Sequence, residues 1–257
     1  MTNSKNKIYF VSDIHLGAQA LDNNREREQK FVAWLDEIKQ DAAALFLLGD
    51  IFDYWFEYKE VVPRGFVRTL GKIAEIADSG IPVHFFTGNH DVWVFDYLPS
   101  ELGVQIHRSE MRISFSGKKF FLAHGDGLDP YDKGYHFLKK LFTNRFLQWM
   151  YARIHPNLGI SLAHKWSKKS RLTKGMSVPF YGEDKEGLLL FAKSVLEDEE
   201  VDYFIFGHRH LLLDLPLGKK SRYINLGDWI THYSYGVFDG EKFELKKYKG
   251  PGEMPMN

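Results

Sequence analysis

Along the first third of the chain, apolar residues alternate between short unbroken runs and a spacing of three and four. Ile8 to Val11 is a run of strand length; from Arg25 to Lys39 the positions Phe31, Trp34, Leu35 and Ile38 then line one face of a helix. The cycle repeats with Leu45 to Leu48, a helix marked by Phe66, Leu70, Ile73 and Ala77, and a run from Val83 to Phe86 closed by Gly88. Alternating strands and helices predict an α/β layered structure. From Met111 the texture changes to hairpin-like pieces, Ile113 to Phe115 and Phe120 to Ala123, about a turn at Gly117. After a long helical middle, strands return at Tyr203 to Phe206, Tyr223 to Leu226, Tyr235 to Phe238 and Phe243 to Tyr248. This mixture predicts two sheets flanked by helices, in a single domain spanning 1–257 with an insertion in its middle.

Composition acts mainly by exclusion. A chain of 257 residues, 44% of them hydrophobic, is long enough to bury a full core. It has no cysteine, which rules out disulfides, thiol nucleophiles and zinc fingers and leaves His, Asp, Glu and Asn as metal ligands, a set suited to hard or borderline cations. Lys plus Arg equals Asp plus Glu at 34 each, so the overall charge points to no polyanionic partner. No apolar run approaches the ~20 residues of a membrane span, and a cytoplasmic location is expected.

The candidate chemistry gathers where the predicted strands end. Asp13-Ile14-His15, Gly49-Asp50, Gly88-Asn89-His90-Asp91, His124-Gly125-Asp126 and Gly207-His208-Arg209-His210 each lie just past a strand, usually beside a glycine. Residues two apart in extended backbone face the same side, so Asp13 with His15, and His208 with His210, would share a pocket. Two cations about 3.5–4 Å apart need a shared carboxylate between them, and Asp50 is the natural bridge. Neutral imidazoles and the Asn89 amide would complete the shells without cancelling the cations' charge, which keeps bound water acidic. A lone D-x-H or H-x-H is a weak signal, but five such segments at strand ends are a strong one. His84, His107, His136, His155, His164 and His232 lack such company and read as structural or surface residues.

The set D-x-H, G-D, G-N-H-D, H-G-D and G-H-x-H, from Asp13 to His210, resembles the calcineurin-like metallophosphoesterase superfamily. The resemblance implies a β-sandwich flanked by helices and two divalent cations, with manganese the usual metal. One cation would be held by Asp13, His15, Asp50 and His210, the other by Asp50, Asn89, His124 and His208. It further implies catalytic roles at the phosphate for Asn89 and for His90, the latter paired with Asp91.

Between Lys133 and Gly175 stand ten Lys or Arg residues and no Asp or Glu, while Phe137, Leu138, Leu141, Phe142, Phe146, Trp149 and Met150 recur at helical spacing. A basic, amphipathic cap insertion is expected at about 133–182. Periodicity alone favours a buried helix; the absence of acids instead suits an anionic, acyl-bearing substrate presented at a membrane surface.

More narrowly, the whole chain resembles the UDP-2,3-diacylglucosamine pyrophosphohydrolase family of the lipid A pathway, through Gly49-Asp50-Ile51-Phe52-Asp53, His124-Gly125-Asp126, Asp132, Gly134-Tyr135, and Leu226-Gly227 with Trp229. That resemblance implies a lipid-linked nucleotide sugar as substrate; the basic cap suggests peripheral contact with the cytoplasmic face of the inner membrane. It places Asp132 and Tyr135 by the sugar phosphate, and Ser167, Lys168 and Arg171 among the substrate contacts with Asn89 and His90. The best-known branch of that family has arginine where this chain has His90, so the phosphate or sugar is expected to be gripped differently here. One rival reading is a phosphodiesterase or nuclease whose cationic cap binds nucleic acid, against which the helical spacing of the aromatics speaks. Another is a scaffold that has lost catalysis, against which the intact ligand set speaks. No nucleic acid and no protein partner is expected.

Overall fold

The computed structural model describes residues 6–174 and 179–251, without the side chains of residues 169–174. The first half runs β1 (Lys7–Val11), α1 (Asn24–Ile38), β2 (Ala42–Leu48), α2 (Val67–Asp78), β3 (Val83–Phe86), α3 (Tyr97–Leu102), β4 (Gln105–His107) and the hairpin β5 (Met111–Phe115) with β6 (Lys118–Leu122). Helices α4 (Lys133–Phe142), α5 (Arg145–Tyr151), α6 (Pro156–Lys174) and α7 (Gly187–Asp198) follow. The chain then closes with β7 (Tyr203–Phe206), β8 (Leu212–Leu217), β9 (Ser221–Leu226), β10 (Ser234–Phe238) and β11 (Phe243–Lys247).

Two sheets result, in the orders β11-β10-β1-β2-β3-β4 and β5-β6-β7-β9-β8. In the first, β1 to β4 are parallel and β10 lies antiparallel to β1; in the second, β6, β7 and β9 are parallel. The period of two in each strand explains the layering. Ile8 and Phe10 of β1, with Phe46 and Leu48 of β2, point to the other sheet and meet Phe120, Leu122, Ile205 and Ile224; the alternate residues Tyr9, Val11, Leu45 and Leu47 pack under the outer helices against Phe31, Trp34 and Ile73. Strands buried on both faces read as unbroken apolar runs, as these do. A third cluster joins Phe121, Phe204 and Phe206 of the second sheet to Leu188, Leu189 and Ala192 of α7. The predicted α/β layered sandwich is what forms.

The insertion departs from the buried helix that its periodicity favours. Asn144 ends one helix and caps the next, its side chain accepting from the N–H groups of Phe146 and Leu147, and Pro156 opens a third. No side chain of α4 or α5 is buried: Phe137 is 65% exposed, Phe146 64% and Trp149 54%. Phe142 and Tyr151 pack inward, their rings 5.4 and 5.0 Å from that of Trp93, while Phe137, Phe146 and Trp149 stay exposed. Among the described residues, no helix is long and apolar enough to cross a membrane.

Candidate active site

Strands β1, β2, β3, β6 and β7 deliver the candidate ligands at their C-terminal ends, where loops of parallel sheets present ligands generally. The backbone there is unusual. Asp13, His15, Asp50, His208 and His210 all have positive φ, between 49° and 66°, a region that costs roughly 1 kcal/mol or more for a residue with a side chain. Neighbouring loops hold these turns in place: His15 N–H donates to Asp50 O at 2.9 Å and Asp13 N–H to Gly49 O at 3.1 Å. Two glycines matter through close approach. A Cβ on Gly88 would fall inside contact of the Asp50 carboxylate, and one on Gly207 would meet Asp13 Oδ2 at 2.5 Å.

Each of the two central carboxylates divides its oxygens. Asp13 Oδ2 accepts from His208 N–H at 2.9 Å, and Asp50 Oδ1 from His90 N–H at 2.8 Å. The other oxygens face the centre. Asp13 Oδ1 lies 3.2 Å from His210 Nε2 and 3.7 Å from His15 Nε2; Asp50 Oδ2 lies 3.7 Å from His15 Nε2 and 3.4 Å from His124 Nε2. His15 Nε2 and His210 Nε2 are 3.2 Å apart, and His208 Nδ1 is 2.9 Å from Asn89 Oδ1. All seven predicted ligands thus converge, with Asp50 between the two groups.

The donor chemistry fits cations. Asp13 Oδ1 and His124 Nε2 are buried without a hydrogen bond of acceptable geometry among the described residues, an arrangement that is costly unless a positive ion meets them. The opposite nitrogen of His124, Nδ1, sits 2.8 Å from Leu48 O, which fixes the tautomer that leaves Nε2 as a ligand atom. Burial opposes charge on His124, but the Asp50 carboxylate outweighs it and pushes the imidazole up to about 10. Burial likewise works against an ionised Asp13, yet His210 and His15 hold it well below the usual carboxylate range. Positive charge is demanded here, and a metal ion competes with the proton for it. The ligand atoms of Asp13, His15 and His210 lie within 4.8 Å of one another, as do those of Asp13, Asp50 and His124, so either group could hold a metal ion.

His90 is placed beside this cluster, its ring 4.8 Å from that of His15, but its acidic neighbour is not Asp91. His90 Nδ1 lies 2.9 Å from Asp53 O and 3.6 Å from Asp53 Oδ1. Asp91 is fully buried and turned to the backbone instead, accepting from Gly88 N–H at 2.7 Å, Ile51 N–H at 2.8 Å and, less closely, Asp50 and Phe52 N–H. Its place three residues after Gly88 makes it the brace of that loop, so the pairing expected with His90 is replaced by one with Asp53.

Of the residues implied for substrate, Tyr135 stands over the site, its hydroxyl donating to Asp126 Oδ2 at 2.6 Å and its ring 5.9 Å from His208. Asp132 is exposed and engaged as the N-cap of α4, accepting from Tyr135 N–H. Ser167 is buried and donates to Asp53 Oδ2; Lys168 is exposed on α6; the Arg171 side chain lies outside the described residues. Sequence reasoning left three supports unassigned. Buried Arg27 donates to His15 O at 3.0 Å, Glu186 grips Arg209 between the two ligand histidines, and Asp228 Oδ2 lies 3.8 Å from His210 Nδ1. A charged residue inside the apolar face of α1 was the one visible signal, at Arg27.

The sequence model of the family described as Calcineurin-like phosphoesterase matches residues 6–212. Among curated proteins, the chain is 43% identical over 257 aligned positions to a UDP-2,3-diacylglucosamine hydrolase of Porphyromonas gingivalis, covering 94% of this chain and 97% of that one. It is 29% identical to a protein of the same name from Pseudomonas aeruginosa, over 86% of this chain and 90% of the other. A third, from Histophilus somni, is 26% identical over 87% and 92%.

Proposed function

The chain belongs to the calcineurin-like phosphoesterase family, and on that premise we propose that it cleaves the diphosphate of UDP-2,3-diacylglucosamine to UMP and 2,3-diacylglucosamine 1-phosphate, a step in making lipid A. The observation that carries this substrate is the nearly end-to-end likeness, at 43% identity, to the P. gingivalis hydrolase. It is therefore a metal-dependent hydrolase in which Asp13, His15, Asp50, Asn89, His124, His208 and His210 hold two cations, assigned here as Mn²⁺. Bound there, such cations neutralise phosphoryl charge and make a nucleophile of water near neutral pH.

The chain's own groups orient the rest. His90, anchored through Nδ1 on the Asp53 carbonyl, offers Nε2 to a phosphoryl oxygen, and the Asn89 amide meets the same developing charge. Tyr135, whose phenol burial and the Asp126 carboxylate keep protonated, stands ready for the sugar phosphate. The segment at about 133–182 acts as a cap, latched to the core by Ser167 on Asp53, by Tyr151 on Tyr54 at 2.9 Å and by Trp93 on Phe142 O at 2.8 Å. Its outward Phe137, Phe146, Trp149 and Met150, set among lysines and arginines, suit acyl chains and an anionic bilayer on the cytoplasmic face of the inner membrane.

Release of UMP from the diacyl substrate by manganese-loaded protein, beside hydrolysis of a simple aryl phosphodiester, tests the assignment. Strong preference for the lipid is expected. Turnover of the aryl ester alone would overturn the substrate while keeping the reaction type.

A further inference from the structure

Between the core and the cap lies a cleft of about 250 Å³, walled by Thr87, Val92 and Phe95 on one side and Arg145 and Gln148 of α5 on the other, with Arg108 at its end. A second pocket shares Thr87, Arg108, Asp126 and Lys139 with it and is lined also by His124, one of the proposed metal ligands. Lys139 is committed to Asp126, its ammonium 2.7 Å from Oδ2. Arg108 and Arg145, by contrast, form no ion pair with a carboxylate among the described residues. Arg108 donates to Phe95 O at 3.3 Å.

We propose that this cleft holds the nucleotide half of the substrate, the leaving nucleoside monophosphate, an inference that rests on the hydrolysis proposed above. In-line displacement forms a P–O bond from water opposite the bridging oxygen and breaks the P–O bond to that oxygen, so the two halves of the diphosphate lie on either side of the bond that breaks. Tyr135, implied for the sugar phosphate, does not line the cleft, whose volume is too small for two acyl chains. The guanidinium forks of Arg108 and Arg145 match a phosphate dianion. Phe95 in the lining supplies an aromatic surface for a planar base. Gln148 donates its amide N–H to Phe142 O at 2.8 Å, which leaves its carbonyl oxygen to accept from an imide N–H such as that of a pyrimidine.

Calorimetric titration of the metal-loaded protein with UMP tests this, comparing wild type with Arg108→Ala, Arg145→Ala and the exposed Arg68→Ala on α2 as a matched loss of charge. UMP should bind wild type and Arg68→Ala alike and weaken about tenfold in each cleft variant, with KM for the nucleotide sugar rising in parallel and kcat changing less. Unchanged UMP affinity in both cleft variants, melting as wild type does, would overturn the proposal. Arg145 is exposed at the start of α5, so its variant remains informative if Arg108→Ala folds poorly. UMP binding through these arginines without cleavage of the UDP-lipid would refute the hydrolase reading and keep the cleft; cleavage with no such dependence would do the reverse.

Discussion

Ser167 on α6 donates its hydroxyl to Asp53 Oδ2 at 2.8 Å, across 114 positions of chain. The other oxygen of the same carboxylate lies 3.4 Å from His15 Nδ1 and 3.6 Å from His90 Nδ1. A single buried acid therefore registers the cap against two histidines of the site. Ser167→Ala should leave Asp53 Oδ2 without that donor, cost about 1–2 kcal/mol of stability, and raise KM for the lipid substrate severalfold with a smaller effect on kcat. Kinetics with a melting curve would show it; unchanged KM and melting temperature would mean the contact is idle.

Removal of divalent cations should loosen the protein as well as silence it. Asp13 and Asp50 are buried together, and a cation that binds only the folded state at a hundredfold excess over its Kd adds about 2.7 kcal/mol. Chelation is expected to lower the melting temperature by several degrees and Mn²⁺ to restore it. In Asp50→Ala neither chelator nor metal should move the midpoint much. A chelator-insensitive midpoint in wild type, with full metal removal verified by elemental analysis, would contradict the two-cation site.

Acid should weaken the sheet at a place far from catalysis. His84 Nδ1 lies 3.0 Å from His107 Nε2, and the His84 ring stacks on Phe46 at 4.4 Å. Burial, with His107 beside it, pushes His84 down to about 4. For a base depressed by folding, the stability it confers is complete above its unfolded value near 6.5 and is lost as pH falls from there toward 4. Allowing for its partial exposure, the loss is about 1–2 kcal/mol. His84→Phe keeps the stack and should flatten the urea midpoint between pH 7 and 4.5; an equally steep fall would assign the acid sensitivity elsewhere.

The outward cap face predicts a membrane phenotype. Phe146 and Trp149 stack on one another at 6.0 Å while remaining more than half exposed. Changing both to Glu should reduce sedimentation with anionic vesicles more than tenfold, since each buried aromatic contributes roughly 1.5–3 kcal/mol. Vesicle binding equal to wild type would remove this face from the membrane reading.

The parts of the fold visible in the sequence were those with both faces buried. Ile8 to Val11 and Leu45 to Leu48 announce themselves as unbroken runs because each side chain enters one core or the other. Strand β4 is three residues at a sheet edge, and β8, though rich in leucine, is interrupted by Asp214 and Pro216 on an edge strand beside β9, so neither reads as an unbroken apolar run. The convergence of the polar segments was legible because glycine-flanked polar pairs recur at the ends of strands that lie side by side in a sheet. What could not be read was which acid serves which histidine: Asp91 follows His90 in sequence, but the backbone N–H groups of Gly88, Ile51 and Phe52 claim it, leaving Asp53 to face the ring. Likewise Phe137, Phe146 and Trp149 are exposed where periodicity alone would bury them.

The central strand β1 is paired on one side with β2 and on the other with β10, whose Gly236, Val237 and Phe238 lie opposite Phe10, Tyr9 and Ile8. A ribosome therefore delivers Asp13 and His15 early, yet their strand stays half-zipped until more than two hundred further residues have emerged. Such long-range pairing is slow to form. On the proposed ligand set, metal loading is then a late event in the life of each molecule, and a nascent chain stalled before β10 would expose an unpaired edge of β1 to its neighbours.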